Sequence, residues 1–117
     1  MRILAICLLL TACAVTPEST NQRLIVADWS VTGAINAVAD LKPVLSTEDY
    51  NAAATAVRTA STALSCAEHL NGIVVTVPGW NPAICPTLQV PNTTAGYLNL
   101  TNQLLLQASA YYAAKGE

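Results

Sequence analysis

Residues 46–70 read STEDYNAAATAVRTASTALSCAEHL, and this stretch decides the fold that the sequence predicts. Ser46 can cap a helix because its hydroxyl can accept a hydrogen bond from the Asp49 amide, and Glu48 and Asp49 lie at the positive end of the helix dipole. Asn71-Gly72 supplies a stop signal. The apolar residues recur three and four positions apart, as on one helix face; they are Tyr50, Ala53, Val57, Ala60, Leu64 and Ala67. We therefore predict a helix whose alanine-rich buried face is shallow.

The segment after this helix has no helical period. Residues 73–77 are a β-branched run, and residues 78–92 contain repeated turn signals, which are Pro78-Gly79, Asn81-Pro82, Cys85-Pro86 and Pro91-Asn92. An irregular connection of this length is unusual in a compact domain, and it indicates a functional loop or local structure. A further helix is predicted to start near Thr93 or Thr94 and to stop at Gly116, with a broad apolar face that includes Tyr97, Leu104 and Tyr111 and, beside them, Leu98, Leu105 and Tyr112.

A third amphipathic pattern precedes the alanine-rich helix. Its apolar stripe has helical spacing and consists of Leu24, Ala27, Val31, Ala34, Val38 and Leu41. Pro43 ends the pattern because its ring disfavours the helical conformation of the preceding residue. We predict a helix over Arg23–Leu41, with Trp29 in the core or at its edge. The sequence thus predicts an all-α domain over residues 23–117, a small antiparallel three-helix bundle with a long, disulfide-stapled crossover loop.

The first residues have the pattern of an export signal. Met1-Arg2 is a short basic region, Ile3 to Leu10 is apolar except for Cys7, and small residues follow. This stretch is too short for a bilayer-spanning helix, which needs about 20 apolar residues. Residues 1–12 are therefore predicted to be a signal peptide that is removed on export.

Leu10-Thr11-Ala12-Cys13 resembles the lipobox of bacterial lipoprotein precursors. The resemblance implies that the Cys13 thiol carries a diacylglycerol and that cleavage precedes it. Residues 14–22 are mostly polar and turn-prone without an apolar period, so residues 13–22 are predicted to form a flexible tether between the lipid and the domain. Ala14 in the next position favours the outer membrane, on its periplasmic side or at the surface, if the cell has one. Ala12-Cys13-Ala14 also fits an ordinary cleavage site, so simple secretion stays an alternative.

Export would leave two of the four cysteines available for pairing. Cys7 leaves with the signal peptide, and Cys13 is either lipidated or removed, so Cys66 and Cys85 remain. A single remaining pair in an oxidising compartment predicts one disulfide.

Charge and metal-ligating residues restrict the function. Without Arg2 the chain has four basic and seven acidic residues, a net charge of 4 − 7 = −3. The sequence has no cluster of basic residues, so nucleic acid and direct binding to anionic lipid are not expected.

The candidate metal ligands are too few. Cys66-x-x-His69 with Cys85 supplies only three ligands of zinc type, whereas a structural site needs four. We predict no metal and no cofactor.

A nucleophile pair is the one catalytic alternative in this sequence. Cys66 and His69 lie three residues apart on one predicted helix face, and they would be reactive only with a free thiol. Disulfide formation with Cys85 removes that thiol, so we expect no enzyme. His69 is then a solvent-facing residue near the end of a helix.

The predicted crossover offers a candidate contact surface. Trp80 stands among turn residues close to Ile73 and Val75, and a rigid tryptophan is typical of binding hot spots. The alternative is that these three side chains fold back over the shallow alanine face.

These features favour a non-catalytic, membrane-tethered envelope lipoprotein that acts as an interaction or structural module. The expected partners are membrane lipid, through the Cys13 acyl anchor, and another envelope protein. Two alternatives stay open: an exclusion or immunity lipoprotein of a mobile element, and a secreted small enzyme that uses the Cys66-His69 pair.

Overall fold

The computed structural model describes residues 20–112, apart from the Tyr112 side chain. Cys13, the predicted signal peptide and the predicted helix stop at Gly116 lie outside these residues. Within them the fold is all-α, as predicted, and the elements in chain order are α1 (Thr20–Leu41), α2 (Thr47–Leu70), a 3₁₀ helix (Pro82–Leu88) and α3 (Thr94–Tyr112).

Helix α2 has the termini that the sequence predicted. The Ser46 side chain accepts a hydrogen bond from the Asp49 amide at 3.1 Å. At the other end Asn71 is the C-cap, and Gly72 has a φ of 76°, a left-handed conformation that glycine adopts without a steric penalty. The capping side chain and the terminal glycine therefore delimit α2.

Helix α1 begins at Thr20, three residues before the predicted start at Arg23. Residues 20–22 are thus helical and do not belong to the flexible tether predicted for residues 13–22. Extending an existing helix adds one hydrogen bond for each residue fixed, so polar residues before the apolar stripe can join it. The stripe itself is buried as predicted at Leu24, Ala27, Val31, Ala34 and Val38.

The core position predicted for Trp29 is wrong. Its side chain is 70% exposed. Trp29 lies two residues from both Ala27 and Val31, and at 3.6 residues per turn this spacing puts it on the opposite side of α1 from the buried stripe.

The connection between α2 and α3 contains local structure. Its 3₁₀ helix has Pro82 at its start and Asn81 as its cap, with the Asn81 side chain accepting from the Ala83 amide at 2.9 Å. Proline suits this position because the first helical N–H groups have no partner inside the helix. Helix α3 starts at Thr94, as predicted, and the Thr93 hydroxyl accepts from the Gly96 amide at 2.9 Å.

Each of the three α-helices packs against the other two, and the contact between α2 and α3 is the most extensive. Four alanines of α2, Ala53, Ala60, Ala63 and Ala67, are completely buried. Small side chains permit close approach, which is visible where the buried Thr101 hydroxyl of α3 donates to the Ala60 carbonyl oxygen at 3.4 Å and to that of Tyr97 at 2.9 Å. The shallow face of α2 is therefore covered by direct contact with its neighbours.

Two helical glycines provide a test of the packing at the start of α3. A Cβ on Gly96 would clash with the Pro91 carbonyl oxygen, whereas a Cβ on Gly33 in α1 would meet nothing within 4 Å. We expect Gly96→Ala to destabilise the domain by about 1–3 kcal/mol, as overpacking does. Gly33→Ala is the matched control and should stabilise by about 0.5–1 kcal/mol through helix propensity.

Thermal unfolding followed by circular dichroism measures both glycine substitutions. Equal melting temperatures for Gly96→Ala and the parent protein would contradict the close approach of the Pro91 carbonyl oxygen to Gly96.

Candidate functional site

The two cysteines predicted to pair do form a disulfide. The Cys66 and Cys85 sulfurs are bonded, with 5.9 Å between the Cα atoms. Both residues are buried, and both belong to the core cluster that also contains Leu64 and Tyr97. Because the sulfur of Cys66 is bonded to that of Cys85, the Cys66-His69 pair has no thiol with which to act as a nucleophile.

Trp80 lies over the core beside this disulfide. It is half-buried and packs against the same cluster, and its ring centroid lies 5.5 Å from that of His69 at an interplanar angle of 59°. His69 itself is exposed, as predicted. The Trp80 indole N–H is buried without a hydrogen-bond partner among the described residues. Trp80 therefore packs on the core cluster with part of its side chain still exposed.

The other two residues of the predicted contact surface have different surroundings. Val75 is half-buried, whereas Ile73 is 37% exposed and lines a depression beside α1. Ile73 is therefore associated with α1 rather than with the ring contact of Trp80 and His69.

This depression, which we call the α1 cleft, has a volume of about 500 Å³ and is formed by three parts of the chain. Helix α1 supplies most of its lining, the last turn of α2 supplies Glu68, and the segment after α2 supplies Ile73. The lining residues are Asn21, Leu24, Ile25, Asp28, Trp29, Glu68 and Ile73. Ile25 is 49% exposed, so with Trp29 and Ile73 the cleft combines a buried leucine with three large apolar side chains open to solvent.

Two carboxyl groups share the α1 cleft. The pKa of Glu68 is raised above its usual range because partial burial disfavours the charged form and, to a smaller extent, because the Asp28 carboxylate repels it. Among residues 20–112 the lining of the cleft includes no lysine or arginine. The α1 cleft therefore combines apolar surface with negative charge that no basic side chain of its lining offsets.

A second depression lies beside the disulfide, with a volume of about 550 Å³. Its lining is mainly apolar and includes Cys66, Leu70, Pro86, Val90 and Tyr97. The described part of this lining contains no carboxylate and no lysine or arginine, so its chemistry does not specify a ligand.

The sequence did not predict the α1 cleft. Trp29 and Asp28 both lie off the buried stripe of α1, so their exposure could have been inferred from the helical period alone. Their proximity to Glu68 and Ile73 was not accessible, because about 40 residues separate the two regions and no pattern in the sequence joins them.

Helix α1 is also long and apolar enough, by length and composition, to cross a membrane. Only 28% of its most apolar stretch is buried. The buried part is the stripe that packs in the core, and the exposed part includes Ile25, Val26, Trp29 and Ile35. Much of the apolar character of α1 therefore faces outward.

Comparisons of this chain with protein-family models, with curated proteins and with solved structures find no match.

The raised pKa of Glu68 predicts a dependence of stability on pH. A carboxyl whose pKa is higher in the folded than in the unfolded protein contributes stability below its unfolded pKa, and this contribution is lost as pH rises through the folded pKa. We expect Glu68→Gln to remove this loss, so that thermal unfolding shows the variant to be more stable than the parent protein at neutral pH and equal to it in acid.

The repulsion between the two carboxyl groups gives a second prediction. Asp28→Asn should lower the Glu68 pKa, which NMR titration of the side chain would measure. An unchanged Glu68 pKa in Asp28→Asn would contradict the proximity of the two carboxyl groups.

The disulfide predicts which segment of the domain loses protection first when the bond is reduced. Residues 66 and 85 are separated by 19 positions, and closing a loop of about this length stabilises by roughly 3 kcal/mol in the chain-entropy model. Reduction should lower the melting temperature by roughly 10 °C or more and should increase hydrogen exchange in residues 73–91 before it does so in the helices. The double variant Cys66→Ala with Cys85→Ala is the control, because it should be insensitive to reductant. Protection of residues 73–91 that survives reduction would show that the bond does not hold this segment.

Proposed function

We propose that this protein is a membrane-tethered, non-catalytic module of the cell envelope that binds another envelope protein. In this proposal α1, α2 and α3 form an antiparallel three-helix bundle, and residues 71–93 are its disulfide-stapled crossover. A lipid on Cys13 holds the bundle at a membrane.

The tether rests on the sequence around Cys13. Leu10-Thr11-Ala12-Cys13 follows a short apolar stretch and has the order of a lipobox. Acyl chains contribute about 0.8 kcal/mol for each buried methylene, so more than one chain gives stable anchoring. Seven positions separate Cys13 from Thr20, where α1 begins. At about 3.5 Å per residue the domain would stay within about 25 Å of the lipid.

The interaction role rests on one structural observation, the 70% exposure of Trp29 in the α1 cleft. A tryptophan on a helix contributes a large contact area with few rotatable bonds, and such residues are enriched among binding hot spots. Ile25 and Ile73 extend the apolar area around it. A catalytic role has less support, because Cys66, the nucleophile of the enzymatic alternative, is bonded to Cys85.

The tether is tested by replacing its cysteine. We expect Cys13→Ser to abolish acylation, so that the protein is released from membranes or stalls as the uncleaved precursor. Cys7→Ser is the matched control, because Cys7 lies in the predicted signal peptide and its loss should leave lipidation and membrane retention unchanged. Mass spectrometry of the mature N-terminus and fractionation of membranes measure both. Membrane retention of Cys13→Ser with an unmodified N-terminus would refute the lipoprotein assignment.

A further inference from the structure

We propose that the α1 cleft binds a membrane-proximal segment of another envelope protein that presents an apolar side chain beside a lysine or arginine. This inference rests on the proposed function and adds the chemistry of the partner. It follows from the exposed apolar side chains and the two carboxylates of the cleft, and from the lack of a basic residue in its described lining.

The apolar part of the cleft specifies the first requirement. Leu24 is buried at 3% exposure, while Ile25, Trp29 and Ile73 around it are between 37% and 70% exposed. Neighbouring large apolar side chains with this exposure are typical of interaction surfaces, because a partner that covers them removes apolar area from water. A leucine, isoleucine or similar residue of the partner suits this surface, with Trp29 as the principal contact.

The charges specify the second requirement. Asp28 and Glu68 line the same cleft without a basic residue, and no ion pair joins either of them to another residue in the range 20–112. A cationic group between the two carboxylates would offset their mutual repulsion, and it would bind most tightly where an apolar surface lowers the local exposure to water.

The same carboxylates favour a protein segment over a bilayer surface. Anionic headgroups would be repelled by Asp28 and Glu68, and the lining within residues 20–112 lacks the basic residues that attract such headgroups. A second copy of this chain is also disfavoured, since its own cleft would bring two more carboxylates.

The position of the cleft limits where the partner lies. Asn21, at the start of α1, belongs to the lining and is eight residues from Cys13. Because an extended chain spans about 3.5 Å per residue, this end of the cleft stays within about 28 Å of an acyl anchor on Cys13. The partner segment is therefore membrane-proximal.

The test measures peptide binding to the full-length exported protein in a non-ionic detergent. The probe is a short fluorescein-labelled amphipathic peptide of leucine, alanine and lysine, followed by fluorescence anisotropy. Two matched peptides replace its lysines by glutamate or its leucines by alanine, and both should bind more weakly.

Variants of the protein locate the binding site. We expect Trp29→Ala to weaken binding by about tenfold or more, as at a hot spot. Asp28→Asn and Glu68→Gln should each weaken it by about two- to fivefold, the range of exposed ion pairs. The matched controls are Asp40→Asn, which removes the same charge from an exposed position of α1 outside the cleft, and Val74→Ala, which truncates an apolar side chain that is 84% exposed and also outside it. Both controls should bind like the parent protein.

A charge exchange gives the most specific result. Asp28→Lys should bind the lysine peptide more weakly than the parent protein does, and it should bind the glutamate peptide more tightly. The substitutions fall on exposed or half-buried residues, so each variant should keep its helices. Circular dichroism would verify this.

Three outcomes would overturn the inference. The first is equal weakening by Asp28→Asn and Asp40→Asn, which would indicate only a general attraction of the acidic domain. The second is Trp29-dependent binding of the unlipidated Cys13→Ser protein to vesicles of phosphatidylethanolamine and phosphatidylglycerol, without binding of the peptide, which would assign the surface to lipid. The third is a dimer that Trp29→Ala dissociates in sedimentation experiments.

Failure of this inference is separable from failure of the proposed tether. Loss of acylation at Cys13 leaves peptide affinity unchanged, whereas an inactive α1 cleft leaves membrane retention unchanged.

Discussion

The alanine face of α2 determines how closely the helices must approach. Ala53, Ala60, Ala63 and Ala67 are all completely buried, and each removes less apolar area from water than a leucine would. A shallow face gains enough contact only if its neighbours come near the backbone, where dispersion contacts are most numerous. The hydrogen bond from Thr101 to the Ala60 carbonyl oxygen, across the contact between α2 and α3, is a direct sign of that approach. Larger side chains at these alanines would force the helices apart.

The connection between α2 and α3 is held to the helices at several points. The Asn71 side chain, at the end of α2, donates to the Thr94 hydroxyl at 2.9 Å, and the Tyr97 hydroxyl donates to the Asn92 side chain at 2.8 Å. The disulfide from Cys66 to Cys85 attaches the 3₁₀ helix, in the middle of the connection, to α2. A connection of more than 20 residues loses much conformational freedom when it is ordered. The covalent bond reduces this loss by restricting the unfolded chain as well.

Helix α1 packs on this core through a narrow buried stripe. The apolar residues that the stripe leaves exposed are the basis of the function we propose. The stripe buries one side of α1 and leaves Ile25 and Trp29 on the surface, although the whole helix is apolar enough to have been buried or to cross a membrane. Glu68 and Ile73, near the end of α2, close the other side of the cleft. The arrangement joins an apolar surface to two carboxyl groups that no basic side chain of the described lining offsets.

The sequence by itself determined the three α-helices, apart from the first turn of α1, and the disulfide, because these depend on local or compositional rules. The cap at Ser46, the stop at Asn71-Gly72, the start of α3 at Thr94 and the buried stripe of α1 all follow from helix periodicity and from hydrogen bonding within a few residues. Only one pair of cysteines remained after the expected processing, so the bond between Cys66 and Cys85 needed no knowledge of the fold. The α1 cleft was decided by tertiary structure alone. Asp28 and Glu68 lie 40 residues apart, and only the packing of α1 on α2 brings their charges close enough to interact.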